Sequence, residues 1–264
     1  MTEGTAPAGD GPAEGNTGDS AGVPWAGRDL RPNPFSGDTG EADPALAAAL
    51  RAVTDSPFDP AAHRAVVNAL RGTRLYAPVM PTAVEHTTDA AGLVHDNSSE
   101  MAMVRLAAED GRECTPGFSD IPHLTEWGTG ARPVPIESER LCMAAIEEGA
   151  QLVVLDPGSR APFLLRRTAL WAFVRGHDWT PAWADREVAE AVGALARRFS
   201  WIESVALAPG SHTVHVSGPE VALVLTVTGR PCPEDLQEFQ QALAGHEVVV
   251  DRVDSTRITL RSVR

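Results

Sequence analysis

The sequence predicts an α/β (α+β) fold, with an N-terminal mixed-sheet domain followed by a smaller α+β domain that holds an antiparallel sheet. Between residues 99 and 175, short apolar segments alternate with amphipathic segments that end at glycine, a pattern typical of strands and helices around one sheet. After residue 185 the pattern becomes helix, three strands, helix and two strands, which favours an antiparallel sheet with its helices on one face. With 264 residues, 43% of them hydrophobic, the chain is long enough for two such domains.

The predicted domain boundaries follow changes in composition. Residues 1–43 are rich in Gly, Pro and Ala and carry eight acidic residues and two arginines, with few large apolar residues. This composition predicts a disordered acidic tail. The N-terminal domain is predicted at 44–178 and the second domain at 185–264. Residues 179–184 contain two tryptophans and a proline and are the predicted connector between them.

Helices and strands of the first domain are predicted from periodicity and from start and stop residues. Asp43 followed by Pro44 is a typical helix start. The apolar segment 151–155 predicts a central strand that is covered on both faces, whereas Pro78 predicts a sheet edge or the end of its strand. The remaining predictions are helices at 61–71, from 119 or 120, at 137–148 and from 168, strands at 74–80, 101–107, 112–118, 132–136 and 163–165, and a surface loop at 81–98.

The second domain is predicted in the same way. A helix is expected at 185–199, and another begins at Pro233, where Glu234 and Asp235 occupy the first turn and favour the helix dipole. Apolar and β-branched segments predict strands at 204–208, 213–217, 221–228, 247–253 and 256–263.

The composition excludes several classes of function. All 22 basic residues are arginines, so a Schiff-base lysine, a P-loop lysine and a Ser-x-x-Lys nucleophile are absent from this sequence. The net charge of −14 disfavours nucleic acid and anionic membranes as partners, because both bind through Lys and Arg. Three scattered cysteines, an N-terminus without an apolar segment and short apolar runs predict a cytoplasmic protein with reduced thiols.

Two patterns of reactive side chains are weak. Cys232 lies just before a helix, where a thiol pKa can fall, but Glu234 and Asp235 oppose a thiolate, so the sequence favours a turn residue. His212 and His215 would point to opposite faces of a strand, and no cluster of thiols or carboxylates accompanies them. The sequence therefore predicts no catalytic residue, no metal site and no cofactor.

The candidate binding residues are arginines and tryptophans. Arg166 and Arg167 follow one another at the end of a strand, so their side chains are expected on opposite sides. If Arg132 lies nearby, it and one of them hold a carboxylate or an acidic segment by bidentate hydrogen bonds, although the sequence favours structural salt bridges. Trp127 and Trp171 are predicted to pack in the core or between the domains, or alternatively to form an interaction patch.

Four groups of residues resemble the SseB (enhanced serine sensitivity) family, in its actinobacterial two-domain form. They are Leu75–Val79 (LYAPV), Ser99–Val104 (SEMAMV), Ala131–Pro135 (ARPVP), and Val154–Pro157 (VLDP) together with Pro162–Arg167 (PFLLRR). The resemblance extends over residues 71–183, and more loosely over the part after residue 185. It implies the fold and a link to serine sensitivity, and none of these motifs is catalytic.

The sequence and the resemblance together predict a non-catalytic, cytoplasmic protein-interaction or regulatory module of the SseB type. Its expected partner is a protein, with neither nucleic acid nor membrane as a partner, and homo-oligomerisation is left open. One alternative is a sensor or enzyme that binds an amino or carboxylic acid in an arginine-lined pocket. Another is an immunity or chaperone-like protein that binds an effector protein through its acidic surface.

Overall fold

The computed structural model describes residues 35–81, 101–128 and 130–262. Residues 1–34 of the predicted tail and residues 82–100, which include nearly all of the predicted surface loop, lie outside the described residues. Residues 39–264 form one compact unit. The boundary predicted at residues 179–184 therefore falls within this unit, and the division into two domains stays a prediction.

The described residues form eight α-helices and ten β-strands. The helices are α1 Pro44–Asp55, α2 Pro60–Ala69, α3 Ile121–Glu126, α4 Ser138–Glu147, α5 Arg167–Val174, α6 Arg186–Ala196, α7 Pro233–Ala244 and α8 Glu247–Arg252. The strands are β1 Arg74–Pro81, β2 Met101–Met103, β3 Leu106–Ala107, β4 Glu113–Gly117, β5 Arg132–Glu137, β6 Leu152–Leu155, β7 Phe163–Leu165, β8 Ile202–Pro209, β9 Val221–Val227 and β10 Thr256–Ser262.

The strands form three sheets, and the predicted α+β class is confirmed. A four-stranded mixed sheet has the order β3-β4-β6-β7, in which only β4 and β6 run parallel. A three-stranded antiparallel sheet has the order β2-β1-β5 and meets the first sheet through a bridge between Tyr76 and Phe118. The third sheet, β10-β9-β8, belongs to the C-terminal part of the chain.

The predicted helix starts and the central strand are confirmed. The carboxylate of Asp43 accepts hydrogen bonds from the backbone N–H groups of Ala45 and Leu46, which satisfies two free donors at the start of α1. Strand β6 is buried along its whole length. Val153 and Leu155 join the large core under the helices, whereas Leu152 and Val154 form a separate apolar cluster on the other face.

Two predictions for the first domain are wrong. The strand predicted at 101–107 is two short strands, β2 and β3, which belong to different sheets. Strand β1, with Pro78, is the central strand of its sheet and not an edge. Proline has no N–H group to donate to a neighbouring strand. On this side of β1, Tyr76 is bonded to Phe118 and the pairing with β2 begins at Val79. Pro78 lies between these two pairings, so its missing N–H is tolerated.

Two further strand predictions fail in the second domain. Residues 213–217 form a turn in the connection between β8 and β9, with the N–H groups of Val216 and Ser217 donating to the carbonyl oxygen of Thr213. Residues 247–252 form helix α8, which buries Val249 and exposes Val250. The chain thus reaches β10 from β9 through two helices, a crossover that lets β10 run parallel to β9. The third sheet is therefore mixed and not wholly antiparallel.

Candidate functional site

Arg166 is buried where the N-terminal sheets meet the C-terminal part of the chain. Strand β7 ends one residue earlier, and Arg166 is the N-cap residue of α5. Its side chain is 5% exposed and donates hydrogen bonds to the carbonyl oxygens of Val214 (2.8 Å) and Gly218 (2.9 Å). It also lies 3.4 Å from a carboxylate oxygen of Asp254. The guanidinium therefore holds the β8–β9 connection against the first domain.

Asp254 is the acid that joins two arginines. Its side chain is fully buried, and Arg112 binds both carboxylate oxygens, at 2.8 and 2.9 Å. Burial alone would raise the pKa of Asp254, but the hydrogen bonds and charge of Arg112 together with the charge of Arg166 outweigh it and lower the pKa. Arg112, Arg166 and Asp254 are thus an ionised cluster between residues far apart in sequence, and we call them the arginine clamp.

Glu220 lies next to the arginine clamp and is also buried. Its two carboxylate oxygens accept hydrogen bonds from the backbone N–H groups of Ala182 (3.0 Å) and Asp254 (2.8 Å). Burial raises the pKa of Glu220, although these two bonds and the charge of Arg166 act in the opposite direction. Glu220 therefore fixes both the segment before α6 and the turn that carries Asp254.

Arg167 points away from the arginine clamp, as expected for neighbouring residues. Its guanidinium donates hydrogen bonds to the carbonyl oxygens of Val250 (2.8 Å) and Val253 (2.7 Å) at the end of α8. It also lines a cleft of about 270 Å³ beside Trp171, which we call the Trp171 cleft. Trp171 is 38% exposed, and the guanidinium carbon of Arg175 lies 4.9 Å from the centre of its ring. The sequence favours packing of Trp171 in the core or between the domains, and the side chain is only partly buried.

Arg132 and Trp127 lie elsewhere. Arg132 begins the edge strand β5 and is exposed, and it lines neither the Trp171 cleft nor the cavity that contains Arg166. Trp127 is half-buried, with its ring centre 5.3 Å from that of Phe118. Trp127 therefore packs between elements of the first domain, and Arg132 has no described contact with Arg166.

An apolar recess that includes Arg112 and Arg166 is a cavity of about 610 Å³, which we call the sheet cavity. Its floor is the apolar cluster on the second face of the four-stranded sheet. Its rim carries charged and hydroxyl side chains from the β3–β4 turn, from the β8–β9 connection and from the start of β10. The floor consists of Leu106, Cys114, Leu152, Val154 and Leu164, and the rim includes Glu109, Asp110, Arg112, Arg166, Ser217, Ser255, Thr256 and Arg257.

The pKa values of all three cysteines are raised, which disfavours the reactive thiolate. Burial raises the pKa of Cys114 to about 12 and also raises the pKa of Cys142. Cys232 is exposed, but its thiol donates a hydrogen bond to Asp235, which raises its pKa. The hydroxyl of Ser119 is buried and donates to Asp156 at 2.7 Å.

The two histidines of the H-x-x-H pattern differ in burial. They lie in the turn that follows β8, where His215 is buried and His212 lies near Phe58, with ring centres 6.3 Å apart. Within residues 35–81, 101–128 and 130–262, no group of three or more His, Cys, Asp or Glu side chains is placed to hold a metal ion.

Of the three residues in the arginine clamp, only Arg166 was a candidate site residue from the sequence. Arg112 and Asp254 are 142 positions apart; Arg112 was predicted to begin a strand, and Asp254 lies between two predicted strands. Local patterns indicate turns and caps, but they carry no information on such distant contacts. Arg257 was part of a predicted strand, and an exposed arginine on an edge strand gives no further signal.

Comparison with known proteins gives one match. Residues 46–172 match the family model described as the SseB protein N-terminal domain. No curated protein and no solved structure matches the chain. In the described part of the chain, no helix is long and apolar enough to cross a membrane. The matched segment begins in α1 and ends in α5, so it contains both sheets of the first domain. The first part of the chain is therefore an SseB protein N-terminal domain.

Proposed function

We propose that the protein is a non-catalytic, cytoplasmic regulatory module that acts by binding a protein partner. The observation that carries this proposal is the exposed pair of Trp171 and Arg175 at the Trp171 cleft. Tryptophan and arginine are the residues most often found at energetic hot spots of protein interfaces, and a stacked pair loses little freedom on binding. The raised thiol pKa values and the bonded hydroxyl of Ser119 support a role without covalent chemistry.

The geometry of the Trp171 cleft suits a polar peptide or protein surface. Arg175 and Arg252 lie on its walls together with Asp178 and Asp251, so charges of both signs face a partner. Arg252 is bound to Asp185 and Glu187, at 3.1 and 2.7 Å, which fixes one wall before any partner binds. A partly ordered surface of this kind lowers the entropy lost on association.

A test of this proposal compares three forms of the protein as baits. Trp171→Ala removes the exposed ring, and Met143→Ala removes a matched exposed apolar side chain, 47% exposed, on α4. We expect native and Met143→Ala baits to enrich the same partner, and the affinity of that partner, measured with the purified protein, to fall about 30-fold in Trp171→Ala. Equal capture by all three baits would place the interface elsewhere and contradict the proposal.

A second candidate function is the sensing of a small acidic molecule, and the sheet cavity favours it. A cavity of about 610 Å³ with an apolar floor and a few polar groups on its rim has the size and composition of ligand sites. Of the arginines considered for an arginine-lined pocket, Arg166 lines the sheet cavity and Arg132 does not. The sheet cavity and the Trp171 cleft share none of their lining residues, so the two functions are separately testable.

A further inference from the structure

The floor of the sheet cavity is an apolar surface formed by side chains on one face of the four-stranded sheet. On β6, Leu152 and Val154 point to the cavity, while Val153 and Leu155 enter the main core. Leu164 on β7 and Cys114 on β4 extend this surface across the sheet. The helices of the first domain cover the opposite face only. The cavity therefore presents a contiguous apolar floor to whatever enters it.

The charges on the rim are mostly neutralised by one another. Arg112 binds Asp110 and Asp254, and Arg166 also reaches Asp254. Arg257 is different, because its side chain makes no hydrogen bond or ion pair with any described residue. Glu109, in the β3–β4 turn, is likewise without a partner in the described part of the chain. The rim thus has one uncommitted cation and one uncommitted anion.

We propose that the sheet cavity binds a monocarboxylate that carries an apolar chain. The carboxylate pairs with the guanidinium of Arg257, and the chain lies on the floor formed by Leu152, Val154 and Leu164. This inference rests on the second candidate function, the sensing of a small acidic molecule, and names the class of ligand. A planar guanidinium matches a carboxylate with two parallel hydrogen bonds, which a point charge does not provide.

The same rim argues against other anions. Arg112 and Arg166 are held in the arginine clamp, so a dianion such as a phosphate ester would find only one uncommitted cation. It would also meet the negative charge of Glu109 and of a chain with a net charge of −14. A single carboxylate meets less of this repulsion than a dianion does, and an amino group next to it would be attracted by the charge of Glu109. The shared chemistry is therefore a carboxylate on an apolar chain, either as a fatty acid or as an apolar amino acid.

The test uses three probes that differ by one group. Octanoate carries the carboxylate, 1-octanol lacks it, and 2-aminooctanoate adds an amine. Calorimetric titration of the full chain is expected to show binding of octanoate, with 1-octanol bound about tenfold or more weakly. One outcome is that 2-aminooctanoate binds more tightly than octanoate in the native protein and equally tightly in Glu109→Gln, with octanoate affinity unchanged by the substitution. In that case the natural ligand class is an apolar amino acid. If the two bind equally, the class is a fatty acid, and both results support the proposal.

Variants locate the site. Arg257→Gln is expected to weaken octanoate by about tenfold or more, whereas Arg261→Gln, the same change on the same strand outside the cavity, is expected to have no effect. Val154→Thr keeps the shape of the floor but adds a hydroxyl, and should weaken both octanoate and 1-octanol. An equal loss of octanoate affinity in Arg257→Gln and Arg261→Gln would contradict the proposed site at Arg257. If 1-octanol binds as tightly as octanoate, the proposed role of the carboxylate is wrong, although the cavity still binds a small molecule. If no probe binds, both the proposed ligand class and the second candidate function are contradicted.

Discussion

At the scale of the residue, burial separates arginines that look alike in the sequence. Arg166 is enclosed and saturates its donors with carbonyl oxygens and Asp254, whereas Arg132 is exposed on an edge strand. A buried ion pair is not necessarily more stabilising than an apolar core, but removing one partner leaves the other charge unpaired in a medium of low polarity. The two arginines therefore differ sharply in what their removal does.

Arg166→Met should lower the free energy of unfolding by about 3–5 kcal/mol, because Asp254 loses one of its two arginines and two buried carbonyl oxygens lose their donor. Arg132→Met is the matched control, and its effect should stay within about 0.5 kcal/mol. Chemical denaturation followed by circular dichroism measures both. A similar loss of unfolding free energy in the two variants would mean that the arginine clamp contributes no more to stability than an exposed side chain does.

At the scale of the element, the sequence was sufficient where one local pattern decided the outcome. The Asp-Pro start of α1, the buried strand β6 and helix α6 were all predicted, because capping and periodicity are local properties. Helix α8 was missed because a short apolar run such as Val248 to Val250 is compatible with either a strand or a helix. Only its packing against α6 decides between them. The sheet cavity was missed because its walls come from distant segments.

The end of strand β8 shows how close two backbone segments come in the third sheet. Gly210 donates its N–H to the carbonyl oxygen of Glu220 at 2.9 Å. A Cβ atom at this position would lie 2.0 Å from the carbonyl oxygen of Pro219, which is backbone and cannot rotate away. Only glycine fits here without moving the segment that carries Glu220.

Gly210→Ala should therefore destabilise the protein by about 2–3 kcal/mol, through displacement of the 219–220 segment. Gly193→Ala is the control, because this glycine lies within α6 and a Cβ there would meet only a side-chain atom at 3.7 Å. That change should stabilise the protein by about 0.5–1 kcal/mol through helix propensity. Thermal unfolding of both variants tests the pair, and equal shifts in Tm would show that the close approach at Gly210 relaxes freely.

At the scale of the whole molecule, buried charges connect parts of the chain that the sequence separates. Asp254 joins the turn before β10 to the β3–β4 hairpin and to β7, and Glu220 joins the same turn to the segment before α6. The pKa values of the two acids are shifted in opposite directions, because the arginines outweigh burial and lower that of Asp254 whereas burial raises that of Glu220.

The pH dependence of stability should therefore change when Glu220 is replaced. Because its pKa is raised in the folded state, the folded chain holds this proton more tightly than the unfolded chain does. The stabilising contribution is complete below the ordinary pKa of 4.5 and is lost as the pH rises through the raised value. Asp254 stays ionised in this range, because its pKa is lowered. Glu220→Gln has no proton to lose, so the variant should gain stability relative to the native protein as the pH rises.

The measurement is the free energy of unfolding of native protein and Glu220→Gln at about pH 5 and about pH 8. At the lower pH the variant should be the less stable of the two, because the amide group of Gln accepts only one of the two backbone hydrogen bonds. At the higher pH this difference should shrink or reverse. Glu203→Gln, an exposed acid on β8, should keep a constant difference from the native protein. A constant difference for Glu220→Gln as well would mean that Glu220 does not titrate over this range, and that the buried connection between the two halves is insensitive to pH.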